Sequence, residues 1–111
     1  MNEPNTDIIQ GTLDLLILTI LRAAPLHGYG IGKRIEDGSD DVFKVNPGSL
    51  LTALRRMERS GWLRSEWRQT ENARRAKYYS LTASGRAQLE AETRDWQRRT
   101  AAVGLLLGAE G

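Results

Sequence analysis

Residues 46–61 read NPGSLLTALRRMERSG and contain the clearest helix of the sequence, together with its start and its end. The asparagine can accept free backbone N–H groups, and the fixed φ of the following proline suits the first helical position. Leu50, Leu54 and Met57 recur at spacings of four and three residues, as one buried helix face requires. We therefore predict a helix from the proline to the closing serine and glycine.

The opposite face of this helix is cationic. Winding about 100° per residue from Leu50 places four polar residues on the solvent side. They are Thr52, Arg55, Arg56 and Arg59. Ser49, near the helix start, has a hydroxyl that can bond a phosphate where the helix dipole favours an anion, although capping the helix is an alternative role for it.

The cationic face belongs to a local basic region in a chain of 111 residues with a net charge of only +2. Between Ala53 and Tyr78 there are eight basic and three acidic residues, a surplus of five positive charges. Lys and Arg are ordinary surface residues, so a solvated face is the simplest alternative. A nucleic-acid partner becomes the better interpretation if the surrounding elements fit one.

Two helices are predicted before this stretch. A first apolar stripe has helical spacing, with Thr12 as the cap and Pro25 as the stop. Its members are Leu13, Leu16, Ile17, Ile20 and Leu21. A shorter helix is predicted over Tyr29–Asp37, ended by Gly38. Residues 42–45 then favour one short strand.

After the basic helix, alternating and aromatic residues at 62–68 and 76–81 predict a β-hairpin around the polar stretch 69–75. Its tip and second strand carry Arg74, Arg75 and Lys77. Tyr78 and Tyr79 alternate, so one is expected to pack inward and the other to face the surface.

A last helix is predicted from about Ala83 past Val103, capped by Thr82. Leu89, Trp96 and Val103 recur every seven positions, with Leu106 and Leu107 beyond them. This spacing indicates a seam for a second helix.

Composition excludes several classes of function. The chain has no cysteine and only one histidine, His27. It therefore lacks a disulfide framework, a thiolate nucleophile, a cysteine-ligated zinc site and a cluster of imidazole ligands. We expect His27 to order a turn and the protein not to be an enzyme. The apolar run at 13–21 is short of the about 20 residues that cross a bilayer. Without a basic leader at the start, we expect a cytoplasmic protein.

The order of elements is that of a winged helix-turn-helix, and at this point the residues also resemble the PadR family of bacterial transcriptional regulators over roughly residues 7–107. The matching stretches are GTLDLLIL at 11–18, HGYGI at 27–31, PGSL at 47–50, ALRRME at 53–58, GWL at 61–63, RAKYYSLT at 75–82 and GR at 85–86.

The resemblance implies a mainly α fold with a small β-hairpin wing (α+β), with a winged helix-turn-helix domain at 11–82, a C-terminal dimerisation helix at 83–107 and an N-terminal extension at 1–10. It implies a homodimeric DNA-binding repressor that acts on an inverted-repeat operator in double-stranded DNA without a metal or other cofactor. Some relatives bind flat aromatic effectors between their subunits, so a small aromatic effector that releases the DNA is also expected.

The site residues follow from the same resemblance. Ser49, Thr52, Arg55, Arg56 and Arg59 are expected at the major groove, and Arg74, Arg75 and Lys77 at the DNA backbone or minor groove. The dimer interface is expected to contain Leu13, Leu89, Trp96, Val103 and Leu107. Trp96 has a second possible role, stacking on the effector.

Three residues depart from the family pattern. Leu51 replaces the usual tyrosine of the recognition helix, which removes a hydroxyl, and Thr52 stands where proline is common. Ala73 replaces a wing-tip glycine, so we expect a longer, mobile loop rather than a tight turn. Two other functions remain open: a winged-helix domain that binds an acidic protein, and a small-molecule sensor whose DNA role is secondary.

Overall fold

The computed structural model describes residues 10–108, which form four helices and three strands. In chain order they are α1 (Gln10–Leu21), β1 (Leu26–His27), α2 (Gly28–Gly38), α3 (Pro47–Arg59), β2 (Leu63–Gln69), β3 (Arg75–Leu81) and α4 (Ala83–Gly108). The strands form one antiparallel sheet in the order β1-β3-β2. The predicted class, mainly α with a small hairpin wing and a long last helix, is confirmed. The extension predicted at 1–10 lies outside the described residues except for Gln10.

The core lies between α1, α2, α3 and one face of the sheet, and the first turns of α4 close it. Its most deeply buried side chains are Ile17, Leu18, Leu21, Ile31, Leu54, Met57 and Leu63. Leu50, Leu54 and Met57 all point inward, as their spacing predicts. Within residues 10–108, no helix combines the length and the apolarity that crossing a membrane requires.

The ends of α3 follow the predicted chemistry. The side chain oxygen of Asn46 accepts the backbone N–H of Ser49 at 3.0 Å, and Pro47 occupies the first helical position. The helix ends at Arg59, and Gly61 then takes a φ of +85°, which glycine adopts at little cost. Local signals alone therefore fix the start and the stop of this helix.

His27 orders the turn before α2, as expected. Its Nδ1 accepts the backbone N–H of Gly30 at 3.0 Å and so caps the helix. The His27 ring also meets Tyr78 of β3 edge to face, with 5.2 Å between ring centroids. One side chain thus joins the start of α2 to the sheet.

Thr82 caps α4, again as predicted. Its hydroxyl oxygen accepts the backbone N–H of Gly85 at 3.0 Å, and the hydroxyl donates to the carbonyl oxygen of Gly61 at 2.6 Å. The start of α4 is therefore fixed to the turn that follows α3.

Two local predictions were wrong, and one strand was not predicted. Helix α1 already begins at Gln10, so Thr12 lies inside it and is not its cap. Residues 42–45 form no strand, because the N–H groups of Phe43 and Val45 bond to the Ser39 hydroxyl at 3.1 Å and the Glu36 carboxylate at 2.9 Å instead of to a neighbouring strand. The additional strand is β1, which pairs with β3.

The wing tip is a tight turn rather than the longer loop that we expected. The N–H of Ala73 donates to the carbonyl oxygen of Thr70 at 3.0 Å, and the N–H of Thr70 donates to that of Arg74 at 2.6 Å. Ala73 has a φ of +61°. The hairpin thus keeps the geometry that a glycine would favour, and alanine adopts it at a cost in backbone strain.

Replacing Ala73 with glycine should therefore stabilise the protein by about 0.5–1 kcal/mol, because relief of the left-handed strain outweighs the greater entropy of glycine in the unfolded chain. Urea unfolding measures the change. A matched control is Ala76→Gly in β3, where no positive φ exists and glycine should destabilise the strand. Equal losses of stability in the two variants would contradict a strained tip.

Candidate nucleic-acid interface

The solvent-exposed side of α3 presents a stripe of polar side chains, which we call the α3 face and define as Ser49, Thr52, Arg55 and Arg59. All four residues are exposed, while Leu50, Ala53, Leu54 and Met57 on the other side are buried. A capped helix N-terminus with two exposed arginines one turn apart is a shape and a charge that suit the major groove.

Arg56 does not lie on the open solvent side where its spacing placed it. Its Nη2 and Nη1 atoms donate to the two carboxylate oxygens of Asp14 on α1, at 2.7 and 3.0 Å. The side chain of Arg56 is 29% exposed and that of Asp14 only 8%. Arg56 is half-buried because it is at the edge of the α3 face, where α1 packs against α3.

The Arg56 guanidinium stays charged in this position. Its hydrogen bonds to Asp14 raise the pKa of Arg56 above the ordinary value of arginine, against an opposing effect of burial. The negative charges of Asp14 and of Glu92 on α4 act in the same direction as the hydrogen bonds. Three helices therefore contribute to the surroundings of this one side chain.

The other edge of the α3 face borders the wing, which is the hairpin of β2 and β3. Glu58 of α3 accepts the hydroxyl of Ser65 at 2.7 Å and lies 3.5 Å from the ammonium of Lys77. Burial raises the pKa of Tyr79 above the ordinary value of tyrosine, and the positive charge of nearby Arg55 acts weakly in the opposite direction. The wing and α3 are thus joined through polar contacts along one side of the helix.

The wing carries two arginines stacked on aromatic rings. Arg75 lies over the ring of Trp67 at 5.4 Å, and Arg68 lies over Tyr78 at 5.0 Å. Side chains alternate between the faces of a strand, so Trp67 and Arg75 share the face that carries buried Leu63 into the core beside α3. Arg75 therefore lies on the same side of the sheet as α3.

Some basic residues of α3 and the wing are neutralised by ion pairs, so the positive surface contains fewer free charges than the number of basic residues suggests. Arg56, Arg68 and Lys77 each form an ion pair within the described residues. Arg55, Arg59, Arg64, Arg74 and Arg75 are exposed and form no ion pair there. Four of these five belong to α3 or to the wing tip and its second strand, and Arg64 lies on the opposite face of the hairpin.

The family model described as the transcriptional regulator PadR-like family matches residues 17–91, a segment that includes all of α3 and the whole wing. The chain belongs to the PadR-like family. It is accordingly a DNA-binding transcriptional regulator and not an enzyme.

Solved structures, among them two of PadR family regulators, share the fold. A PadR family transcription regulator from hypervirulent Clostridium difficile R20291 is 30% identical, with a TM-score of 0.76 over 86% of this chain and 97% of that one. A PadR family transcriptional regulator from Eggerthella lenta DSM 2243 is 33% identical, with a TM-score of 0.75 over 88% of this chain and 83% of that one. A protein of Streptococcus mutans UA159, 25% identical, reaches a TM-score of 0.83 over 97% of this chain and 94% of that one.

In this PadR-like chain, two of the residues expected at the dimer interface are buried within the single chain. Leu13 and Leu89 are only 4% and 6% exposed, because they pack into the core of their own chain. Trp96, Val103 and Leu107 are 44%, 53% and 69% exposed along α4. The predicted seven-residue repeat therefore begins with Leu89 in the core of the chain and continues with exposed residues on the later turns of α4. We call Trp96, Val103 and Leu107 the open stripe of α4.

Two concavities of the single chain lie away from Trp96, where the effector site is expected. One concavity of about 470 Å³ lies between α1 and the start of α3, and another of about 390 Å³ lies between α1 and α4. Trp96 lines neither of them. Among residues 10–108, no group of three or more His, Asp or Glu side chains is placed to hold a metal ion.

The sequence did contain signals for the contacts that helical spacing did not predict. Asp14 interrupts the apolar residues of α1, and an acid in a buried stripe requires a cationic partner. Glu58 is the one acid within α3, so it was a candidate for a contact with the basic wing. Neither partner is identifiable from helical spacing, because both lie on other elements.

Proposed function

We propose that the protein is a homodimeric repressor that binds an inverted-repeat operator in the cytoplasm. Each protomer would place its α3 face in the major groove of one half-site, with the wing tip along the adjacent backbone or minor groove. The observation that carries this proposal is the α3 face itself: a capped helix with exposed Arg55 and Arg59, flanked by a wing whose Arg75 lies on the same side.

The contacts divide by their chemistry. Ser49 and Thr52 near the start of α3 are suited to phosphate or base-edge hydrogen bonds, and Arg55 and Arg59 to guanine edges or phosphates. Arg74 and Arg75 at the wing supply positive charge, whereas Lys77 shares its charge with Glu58. Most of the affinity would come from the backbone contacts and should fall steeply with salt.

The two-fold axis would run through the paired α4 helices. The open stripe of Trp96, Val103 and Leu107 supplies apolar surface for a second copy. We propose that a small aromatic effector acts between the two copies beside Trp96. A change in how the helices cross would alter the distance between the two α3 helices, and the DNA would be released when that distance no longer fits successive grooves.

Selection of bound sequences from a random pool of duplex DNA tests the proposal. We expect an inverted repeat whose half-sites are centred about 10–10.5 base pairs, or a multiple of that, apart. The test variant is Arg55→Gln on the α3 face, and its matched control is Arg98→Gln on α4. Both remove one positive charge from an exposed position. Only Arg55→Gln should weaken retention.

Two outcomes would contradict the proposal. Failure to enrich any duplex at moderate salt would favour the alternative in which the positive surface meets an acidic protein. Enrichment of a single half-site without symmetry would keep DNA binding but reject the two-fold arrangement.

A further inference from the structure

The pair of Asp14 and Arg56 joins α1 to the helix proposed to enter DNA. Its two hydrogen bonds, at 2.7 and 3.0 Å, are the bidentate arrangement in which a carboxylate and a guanidinium share one plane. That arrangement restricts the relative orientation of the two side chains. It therefore restrains the rotation of α3 about its own axis, and this rotation decides where Thr52 and Arg55 point.

We propose that Arg56 is a positioning residue that does not contact DNA, and that its pair with Asp14 sets the orientation of the α3 face. This inference rests on the proposed function, since it assumes that α3 binds DNA. It reassigns one member of the basic stripe from contacting the partner to holding the helix that contacts it.

Burial explains why Arg56 would not leave Asp14 for a phosphate. The Asp14 side chain is 8% exposed, and its two oxygens have their hydrogen bonds from Arg56. Withdrawing the guanidinium would leave a carboxylate in a poorly hydrated place without its counter-charge, which is strongly unfavourable. Arg55 and Arg59 are exposed and form no such pair within residues 10–108, so they are the arginines free to reach phosphate.

The position of the pair connects α3 with α4 as well. Helix α1 packs against both α3 and α4, and the charge of Glu92 on α4 also acts on Arg56. Glu92 is held in turn by the side chain amide of Gln88, which donates to its carboxylate at 2.6 Å. Helix α1 therefore links α4 to the side chain that orients α3.

The substitution Asp14→Asn separates the two roles of Arg56, because they predict opposite changes. If Arg56 positions α3, losing the bidentate pair should lower affinity for a selected duplex about tenfold. The slope of log Kd against log salt, measured on a 30-base-pair random duplex, should stay at the wild-type value. If Arg56 contacts phosphate, freeing it from Asp14 should instead tighten binding to both duplexes.

Arg56→Lys provides the second variant in case Asp14→Asn fails to fold. Lysine keeps the charge but cannot form the paired bonds, so a positioning role predicts the same loss of affinity for the selected duplex with no change in salt slope. The control is Arg59→Gln, which should reduce the slope by about 1 if the Arg59 guanidinium binds one phosphate.

Binding of the selected duplex by folded Asp14→Asn and Arg56→Lys that equals or exceeds that of the wild type would overturn the inference. A third variant, Arg56→Gln, removes the charge, and a salt slope reduced as much as in Arg59→Gln would overturn it too. Circular dichroism confirms that each variant compared is folded. Failure of the wild-type protein to bind any duplex is a different result, which would reject the proposed function instead.

Discussion

Replacing Gly85 with alanine is expected to lower the free energy of unfolding by about 3 kcal/mol or to prevent folding. A Cβ at this position would lie 2.1 Å from the carbonyl oxygen of Trp62 and 3.0 Å from its carbonyl carbon. The obstacle is backbone, not the end of a flexible side chain. That carbonyl also accepts the N–H of Thr82 at 3.1 Å, so it cannot turn away without losing a hydrogen bond.

The consequence would extend beyond one residue, because the first turn of α4 is packed against the turn after α3. Moving α4 outward to admit a methyl group would also withdraw Leu89 from the core. Thermal unfolding should show the melting temperature falling by roughly 10 °C or more.

Gly38→Ala is the matched control for Gly85→Ala. Gly38 is the last residue of α2, and a Cβ there would meet nothing within 4 Å. Alanine should leave stability unchanged or raise it by up to about 1 kcal/mol. A Gly85→Ala variant that melts with the wild type would show that α4 does not pack this closely on the turn.

The elements that the sequence predicted well are those with local signals. Helix α3 has its cap, its proline and its apolar spacing within the same 16 residues, so nothing distant is needed to locate it. The hairpin and the start of α4 at Thr82 also follow from neighbouring residues. In contrast, β1 has two residues, which are too few for alternation to show, and its partner Tyr79 lies far along the chain.

The candidate site was predictable in its position but not in its detail. Helical spacing correctly placed Arg55 and Arg59 on the exposed side of α3. It also placed Arg56 there, because helical spacing describes an isolated helix. It carries no information about α1, which covers one edge of the α3 face. The partner of Arg56 is 42 residues earlier in the chain, a separation that no helical or strand period reports.

The conformation of the wing tip was not predictable from the preference of a single residue. We expected alanine to prevent a tight turn at the tip, yet Ala73 adopts the positive φ there. The flanking strands decide this, since seven consecutive pairs between β2 and β3 bring their ends together and require a short connection. The left-handed conformation costs about 1–2 kcal/mol at one alanine. The summed stabilisation from the cross-strand pairs exceeds that cost.

Changing the open stripe of α4 is expected to break the proposed dimer and, with it, tight DNA binding. At about 100° per residue, Val103 and Leu107 lie within about 20° of Trp96 around the helix. Val103→Glu combined with Leu107→Glu places two negative charges on this stripe in each protomer. Since two copies would bring four such charges together in an apolar seam, we expect a monomer in sedimentation velocity.

The effect on DNA should be large although the substitutions lie far along α4 from the α3 face. Linking two half-site contacts through one dimer raises apparent affinity by about 10²-fold or more over a single contact. We therefore expect the doubly substituted protein to lose about that factor on the selected inverted repeat, with melting of the winged domain little changed. Leu89, which anchors α4 in its own core, is left intact.

Ala101→Glu combined with Leu105→Glu is the matched control, because it adds the same charge at the same four-residue spacing. Leu105 lies about 180° from Trp96 around the helix, and both positions are exposed in the single chain. This control should remain dimeric and keep most of its affinity. Equal losses in the two variants would mean that the added negative charge, and not the stripe, causes the effect. An intact dimer in the stripe variant would instead move the two-fold contact to another surface.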